Sequence, residues 1–432
     1  MIDILIFIAV LLFLVVAHEL GHFTVAKLSG VRVLEFGVGL PPKIWGFKHG
    51  DTEYTLNALP IGGFVRMLGE EDPEHEESFA RQSAWKRLAI LVAGPGVNAV
   101  LPILLLAVVF MLPQNIDVTD VTIVGVSEGS PAARAGVLPG DIIREAAGRE
   151  INNSGDLINA VQRHLGTRTT WTIERNERLI ETALVPRFDP PDGQGATGIT
   201  LADARVTVAS VAQGSAADAT GLQVGDLFVL VAGGRVLDKE DPRDVVTLAL
   251  EDEPGEPVAI EVLRDGALVG VSFDPALGSL NGYTADVKPT ASRSEAPWTA
   301  FGSSVVQMGD ILVLFKNQIS LWIAGTEPVQ LSGPVGIARV TSEVAAAGVG
   351  PLIALTALLS INLAIVNLLP IPALDGGRIM FVLLELLRGG RRLAPDKERF
   401  AHMVGFAVLM AFIALVSIND ILRLVRGESA FG

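Results

Sequence analysis

The sequence predicts a polytopic α-helical membrane protein: four transmembrane helices, a membrane-associated β-hairpin and two tandem α+β domains on the outer face. Three observations predict it. Half of the 432 residues are hydrophobic, and four apolar stretches approach the ~20 residues needed to cross a ~30 Å hydrocarbon core. Lys and Arg gather in two of the connections between those stretches. The long segment between the second and third stretches contains one block of sequence twice, beginning at Ser130 and again at Ser215.

The apolar stretches cover residues 2–27, 88–112, 351–369 and 400–418. The first is read as retained rather than as a signal peptide. Only Asp3 precedes its apolar run, where a basic region would be expected, and it lacks a small-residue cleavage site. The first basic connection carries Lys27, Arg32, Lys43, Lys48, Arg66, Arg81, Lys86 and Arg87; the second carries Arg378, Arg388, Arg391, Arg392, Lys397 and Arg399. By the positive-inside rule both connections are cytoplasmic. Both termini and the segment from about 113 to 350 then lie outside. The net charge of −15 is no objection, because long translocated domains follow the short loops. Membrane lipid is the expected surrounding, and no long basic segment points to nucleic acid. The chain has no cysteine, which excludes disulfides and thiolate metal sites.

The expected division runs as follows: helix 1 over 1–30, the hairpin loop over 31–86, helix 2 over 87–113, the two outer domains over 114–192 and 193–285, an amphipathic helix and linker over 286–350, helix 3 over 351–370, a cytoplasmic loop over 371–399, helix 4 over 400–424 and a tail over 425–432. Within 31–86, VRVLEFGVGL and TEYTLNALPIGGFVRML are β-like runs joined near KHGD. In the outer segment SPAARAGVLPGD is matched by SAADATGLQVGD, and the offset pairs Gly136 with Gly221, Gly140 with Gly225, Asp141 with Asp226, Gly148 with Gly233 and Asp156 with Asp241. A duplication of that length suits two small domains in tandem. The order of strand, short helix, Gly-Asp turn, strand, helix and strand resembles bacterial PDZ domains, whose A-x-x-A-G-[LV]-x-x-G-D signature the first copy fits better than the second. Residues 297–323 are long and apolar but carry Asp310, Lys316, Asn317 and Gln318. An odd number of spans would put one basic connection on the wrong side, so this segment is expected to lie at the outer interface or to pack on the domains.

HELGH, residues 18–22, ends the first apolar run. On a helix His18 and His22 are i and i+4, so both imidazoles leave one face about a turn apart, a spacing that suits two zinc ligands. Glu19 is turned off that axis, toward a metal-bound water. Three ionisable groups on an apolar helix cost ~2.5–3.5 kcal/mol for each charge at mid-membrane, a cost that packing alone would leave uncompensated. A third ligand is needed. His49 sits in a turn, His75 in an acidic stretch, His164 in the first outer domain and His402 at the start of the fourth span. Asp375, in NLLPIPALDGG directly after the third span, is the better candidate, although an Asp before two glycines also reads as a turn former. His18 lies ~22 Å along its helix and Asp375 at the cytoplasmic end of span three, so the two can meet near that face.

HELGH, the G-P-x-x-N of Gly94, Pro95 and Asn98, and NLLPIPALDGG resemble the site-2 protease family of intramembrane zinc metalloproteases. The β-like loop with its GGFVRML, the tandem PDZ-like domains and the four-span plan narrow the resemblance to the bacterial regulator-of-sigma-E protease branch, over essentially the whole chain. The resemblance implies that His18, His22 and Asp375 bind Zn2+ and that Glu19 is the base. It places substrate or oxyanion roles on Asn367 and Asn362, each of which also reads as a helix-packing amide. Gly62 and Gly63 either let a substrate chain approach or form a plain turn. The implied reaction is cleavage of single-span membrane proteins, anti-sigma factors or leftover signal peptides, in the bacterial inner membrane. The PDZ pair would be periplasmic, excluding bulky outer domains or taking peptides in its grooves. The alternative is a membrane-anchored PDZ scaffold with a non-catalytic zinc site, against which the intact Glu19 argues.

Overall fold

The computed structural model describes residues 2–70, 74–117, 120–204, 206–232, 234–235, 242–252, 255–265, 267–287, 290–326, 332–392 and 394–426. Of the paired repeat positions, Gly233 and Asp241 lie outside the described residues. The chain forms two compact units. One holds residues 1–113, 294–309 and 329–432; the other holds 114–293 and 310–328.

The first unit opens with α1 (Ile2–Leu28), a helix with no polar face before HELGH. Two strands follow, β1 (Val33–His49) and β2 (Thr52–Met67). The expected hairpin is more than a hairpin. Phe36 lies opposite both Tyr54 and Val65, and Gly37 opposite both Thr55 and Phe64, while Lys43 to His49 pair with Thr52 to Asn57. The first half of β1 is therefore clasped between the two halves of β2. Gly39, with φ +81°, and the Pro41–Pro42 pair explain why β1 changes partners there: glycine takes the left-handed turn and proline removes ladder donors. Phe23 of α1 packs edge-on against Phe36, with ring centroids 5.4 Å apart, and joins this sheet to the helix. Val31, Val33, Met67, Phe79, Ile90, Leu91 and Val382 form the core beneath it. Helix α2 (Ala84–Met111), with Ser83 at its N-cap, carries Pro95 and Pro102 within its length.

The second unit begins with β3 (Gln114–Asp117). Its first domain comprises β4 (Asp120–Val126), α3 (Pro131–Arg134), β5 (Ile142–Ala146), β6 (Arg149–Glu150), α4 (Ser154–Arg163), β7 (Thr169–Arg175), β8 (Arg178–Leu184) and β9 (Ile199–Ala204), with sheet order β8-β7-β5-β4-β9. The second domain repeats the plan with β10 (Val206–Val211), α5 (Ala216–Thr220), β11 (Leu227–Val231), β12 (Gly234–Arg235), α6 (Pro242–Asp252), β13 (Val258–Arg264), β14 (Ala267–Phe273) and β15 (Tyr283–Val287), ordered β14-β13-β11-β10-β15. The division expected between 192 and 193 thus falls too early, because β9 closes the first sheet against β4. A strand returning from beyond the duplicated block carries no motif of its own, so the repeat alone does not mark it. β16 (Thr290–Arg293) returns to pair with β3.

The two domains share one internal fastening. The Asp141 carboxylate accepts from Arg175 Nε at 2.6 Å, from Arg175 Nη2 at 2.7 Å and from the Leu138 amide at 2.8 Å. Asp226 accepts from Arg264 Nε at 2.7 Å, Arg264 Nη2 at 2.6 Å and the Gln223 amide at 2.8 Å. Each arginine also donates to the carbonyl of the preceding glycine turn, Gly136 or Gly221. These charge-assisted bonds hold both guanidinium groups above their ordinary pKa. The Gly-Asp of the motif is therefore a fold element.

Helix α7 (Pro297–Ala324) follows. Its Asp310 pairs with Arg149 at 2.7 Å and Arg163 at 2.8 Å, and Asn317 donates to the carbonyl of Gln162 at 2.7 Å. Next come α8 (Pro334–Ala347) and α9 (Val349–Leu368), then α10 (Asp375–Leu387) and α11 (Pro395–Val425). Two expectations change here. Part of the presumed linker before 350 is the helix α8, and the presumed loop 371–399 contains the 13-residue helix α10. Gly333 and Pro334 start α8 and Asp375 starts α10, signals that the span-sized hydropathy pattern overshadowed. Among the described residues five helices are long and apolar enough to cross a membrane: α1, α2, α7, α9 and α11. The molecule is a multi-helix membrane protein carrying β-sheet domains.

Candidate metal centre

Three helices of the first unit converge on one point. α1 supplies His18 and His22 and α10 supplies Asp375, more than 350 residues apart in sequence. His18 Nε2 lies 3.1 Å from His22 Nε2 and 3.0 Å from Asp375 Oδ2, and His22 Nε2 lies 3.3 Å from the same oxygen. Tetrahedral zinc with bonds of ~2.0–2.1 Å sets its ligands ~3.3 Å apart, so the spacing fits. From α2, Gly94 forms the back of the pocket. A Cβ there would stand 2.8 Å from His18 Nε2 and closer still to that of His22. Gly21 lets α1 and α2 approach, since a Cβ on it would meet Val97 at 2.9 Å.

Proton bookkeeping at the two rings supports a cation. His22 Nδ1 is 2.8 Å from the carbonyl oxygen of Ile90, which only accepts, so the ring proton sits on Nδ1 and the Nε2 lone pair faces the cluster. His18 Nδ1 is 3.2 Å from the buried Asn98 amide, whose Oδ1 otherwise has no hydrogen-bond partner. Exchanging the two amide atoms lets Oδ1 accept from a proton on His18 Nδ1. Then three electron pairs, from two imidazoles and a carboxylate, point at each other with no proton between them. That arrangement repels unless a cation fills it, and the imidazole–imidazole–carboxylate set suits zinc. Outer-shell bonds of this kind, to Ile90 and Asn98, orient metal-ligating imidazoles.

Glu19 interacts electrostatically with His18, His22, Asp375 and Arg378. It is also the neighbour of Gly63: a Cβ on Gly63 would lie 3.2 Å from Glu19 Cγ. Gly62, with φ +96°, instead faces Leu40, inside β2 where the pairing with β1 shifts register between Leu59 and Gly63. Asn362 and Asn367 are half-buried on α9, and the structure gives neither a hydrogen bond to the cluster. Asn98, noted in the sequence only as part of a motif, is the amide that reaches it. Its signal was available in the i, i+4 spacing from Gly94 to Asn98, which puts both on one face of α2. Behind the site, Arg87 of α2 donates to both oxygens of Glu385 on α10, each at 2.7 Å, bracing the helix that carries Asp375.

The site is that of a zinc peptidase whose metal lies among membrane helices. Residues 6–412 match the family model of peptidase family M50, and the chain belongs to that family. Among its relatives is a candidate zinc metalloprotease of Xylella fastidiosa (strain 9a5c), 31% identical over 95% of this chain and 96% of its own length. A second, from Vibrio cholerae, is 31% identical over 97% and 98%. The regulator of sigma E protease of Salmonella typhi is 30% identical over 97% of this chain and 98% of its own.

Proposed function

We propose that this zinc endopeptidase cuts single-span membrane proteins inside the bilayer, with His18, His22 and Asp375 as the metal ligands and Glu19 as the general base. The observation that carries the reading is the convergence of three ligand atoms, two imidazole nitrogens and a carboxylate oxygen, within 3.3 Å of one another. Zinc bound there supplies a Lewis acid that polarises a peptide carbonyl and acidifies a water. Asn98 and the Ile90 carbonyl hold the two imidazoles with their Nε2 lone pairs inward. Glu19 accepts the proton of the attacking water on its carboxylate and delivers it to the amine that leaves.

A helical substrate hides its carbonyls in its own hydrogen bonds and must be opened before cleavage. The 59–67 half of β2 pairs only with β1 among the described residues, and its Gly63 adjoins Glu19. An unwound segment adding to that free edge would run past the base, as in strand-addition recognition. Gly63 would keep the passage clear of side chains. For Asn362 and Asn367 we keep the substrate-facing role as part of this proposal, supported by their position on α9, the helix that leads into the Asp375 turn.

We read four of the five candidate helices as spans and α7 as a helix docked on the first β-domain, supported by the pairing of Asp310 with Arg149 and Arg163. The basic connections then face the cytoplasm, and the two PDZ-like domains face the periplasm of an inner-membrane protein. The Salmonella relative's name supports an anti-sigma factor as one substrate class, and remnant signal peptides are a second.

The test is Glu19→Gln, assayed on a single-span model substrate in liposomes alongside zinc analysis. Full zinc content with no cleavage is the expected result. Retained cleavage would remove Glu19 from the mechanism.

A further inference from the structure

The Asp375 carboxylate reaches the two histidines because the chain between α9 and α10 turns sharply through Leu369–Leu374. At Ala373, two residues before Asp375, the backbone has φ +88°. Side chains other than glycine, asparagine and aspartate rarely adopt that conformation. Something must hold it. The structure assigns that task to α11. The Ala373 amide donates to Nδ1 of His402 at 2.9 Å. Three residues further along α11, Gly405 meets the same turn: a Cβ on it would lie 2.6 Å from Pro372 Cβ and 2.7 Å from the Pro372 carbonyl carbon. His402 and Gly405 therefore share one face of α11, one helical turn apart, and both bear on residues 372–373. His402 is further fixed by an edge-on contact with Phe381 of α10, centroids 5.5 Å apart.

We propose that His402 is a positioning residue for the metal centre, holding Ala373 in the left-handed conformation that presents Asp375 to His18 and His22. Gly405 supplies the space that lets α11 come close enough for the bond. The fourth span, which contributes no atom to the cluster, thereby sets the geometry of its third ligand. Without the bond, Ala373 relaxes toward the common backbone regions and Asp375 swings away from the two imidazoles. This inference rests on the reading of Asp375 as a ligand.

The test uses the full-length protein in detergent and reads zinc retention against a competing chelator, with thermal unfolding measured in parallel. His402→Ala should weaken zinc retention roughly 10- to 100-fold, the range seen for outer-shell changes. His402→Asn should restore most of it, because asparagine Oδ1 occupies the place of Nδ1 and accepts the same hydrogen bond. Ala373→Gly should leave the wild type nearly unchanged. In the His402→Ala background it should recover zinc retention, because glycine needs no partner to keep a positive φ. A purely structural histidine would give a lower unfolding temperature in His402→Ala that neither change repairs through the metal. Two results overturn the proposal: His402→Ala holding zinc as tightly as wild type, or Ala373→Gly failing to rescue it. Asp375→Asn is the control. If it holds zinc normally, the ligand reading fails first and the two failures are told apart.

Discussion

Aspartates beside glycine in the two units of this molecule look alike in sequence and do opposite things. Asp141 and Asp226 each follow a glycine in the duplicated motif, and Asp375 precedes two glycines in NLLPIPALDGG. In the β-domains both carboxylate oxygens are occupied by an arginine fork and a backbone amide, and the side chains are 1% and 0% exposed. In the helical unit, Asp375 faces Nε2 of His18 and of His22 and keeps 19% of its side chain accessible. A carboxylate surrounded by donors is a fastening. One grouped with two imidazole nitrogens has the composition of a zinc ligand set.

Substitution at Asp375 should break the comparison most sharply. Asp375→Ala should abolish cleavage, exceeding the ~100-fold ceiling of outer-shell changes, and should empty the metal site as read by zinc analysis. The β-domains should be unaffected, with hydrogen exchange in β5 and β7 unchanged. Asp141→Ala should do the reverse. It strands the Arg175 guanidinium, which is 28% exposed, so the loss belongs at or below the low end of the range for broken buried pairs, about 2–3 kcal/mol. Zinc content should hold while exchange protection of the first domain falls. If Asp141→Ala instead releases zinc, the division between fastening and chemistry is wrong.

The next effect down separates members of the metal site. Asn98→Ala removes the amide that fixes His18 and should weaken zinc binding by ~10- to 100-fold without unfolding α2. An unchanged affinity would mean that the His18 tautomer is set by the metal alone.

How much of this was legible in the sequence follows from where each signal lies. His18, Glu19 and His22 are local, within one helical turn, so helix periodicity alone groups them. Asp375 stands out only through the poverty of other ligands and the charge-derived topology, because a contact spanning more than 350 residues leaves no periodic trace. The β9 strand and the doubled pairing of β1 were not legible. Both depend on which strand pairs with which, and pairing is set by tertiary packing rather than by the strand's own residues. Helices α8 and α10 were hidden for a related reason: they are shorter than a span and sit beside helices whose hydropathy dominates any window. His402 is visible in the sequence only as a histidine opening an apolar stretch; its contact with Ala373 is not, since a positive φ at alanine contradicts local preference and is known only from the folded chain. Such contradictions gather at functional sites.

The smallest expected effect tests whether the two copies are physically equivalent. Gly136, one residue past the Ala135 C-cap of α3, and Gly221, the C-cap of α5, have φ of +75° and +83°, and each offers its carbonyl to the arginine of its own domain. A Cβ at Gly136 would meet no atom within 4 Å, and one at Gly221 would only graze Val271 at 4.0 Å. Alanine at either position therefore carries a backbone penalty and no steric one, about 1–2 kcal/mol. Asparagine, which tolerates the left-handed region, should cost less at both. Hydrogen exchange on full-length protein can read the opening energy of each domain separately. Equal losses for Gly136→Ala and Gly221→Ala, each confined to its own domain, would show that the repeats diverged in sequence but kept one turn geometry. A loss at Gly221 well beyond the backbone penalty would mean that the second copy, which has Thr220 where the first has Ala135, has made its turn do something the first does not.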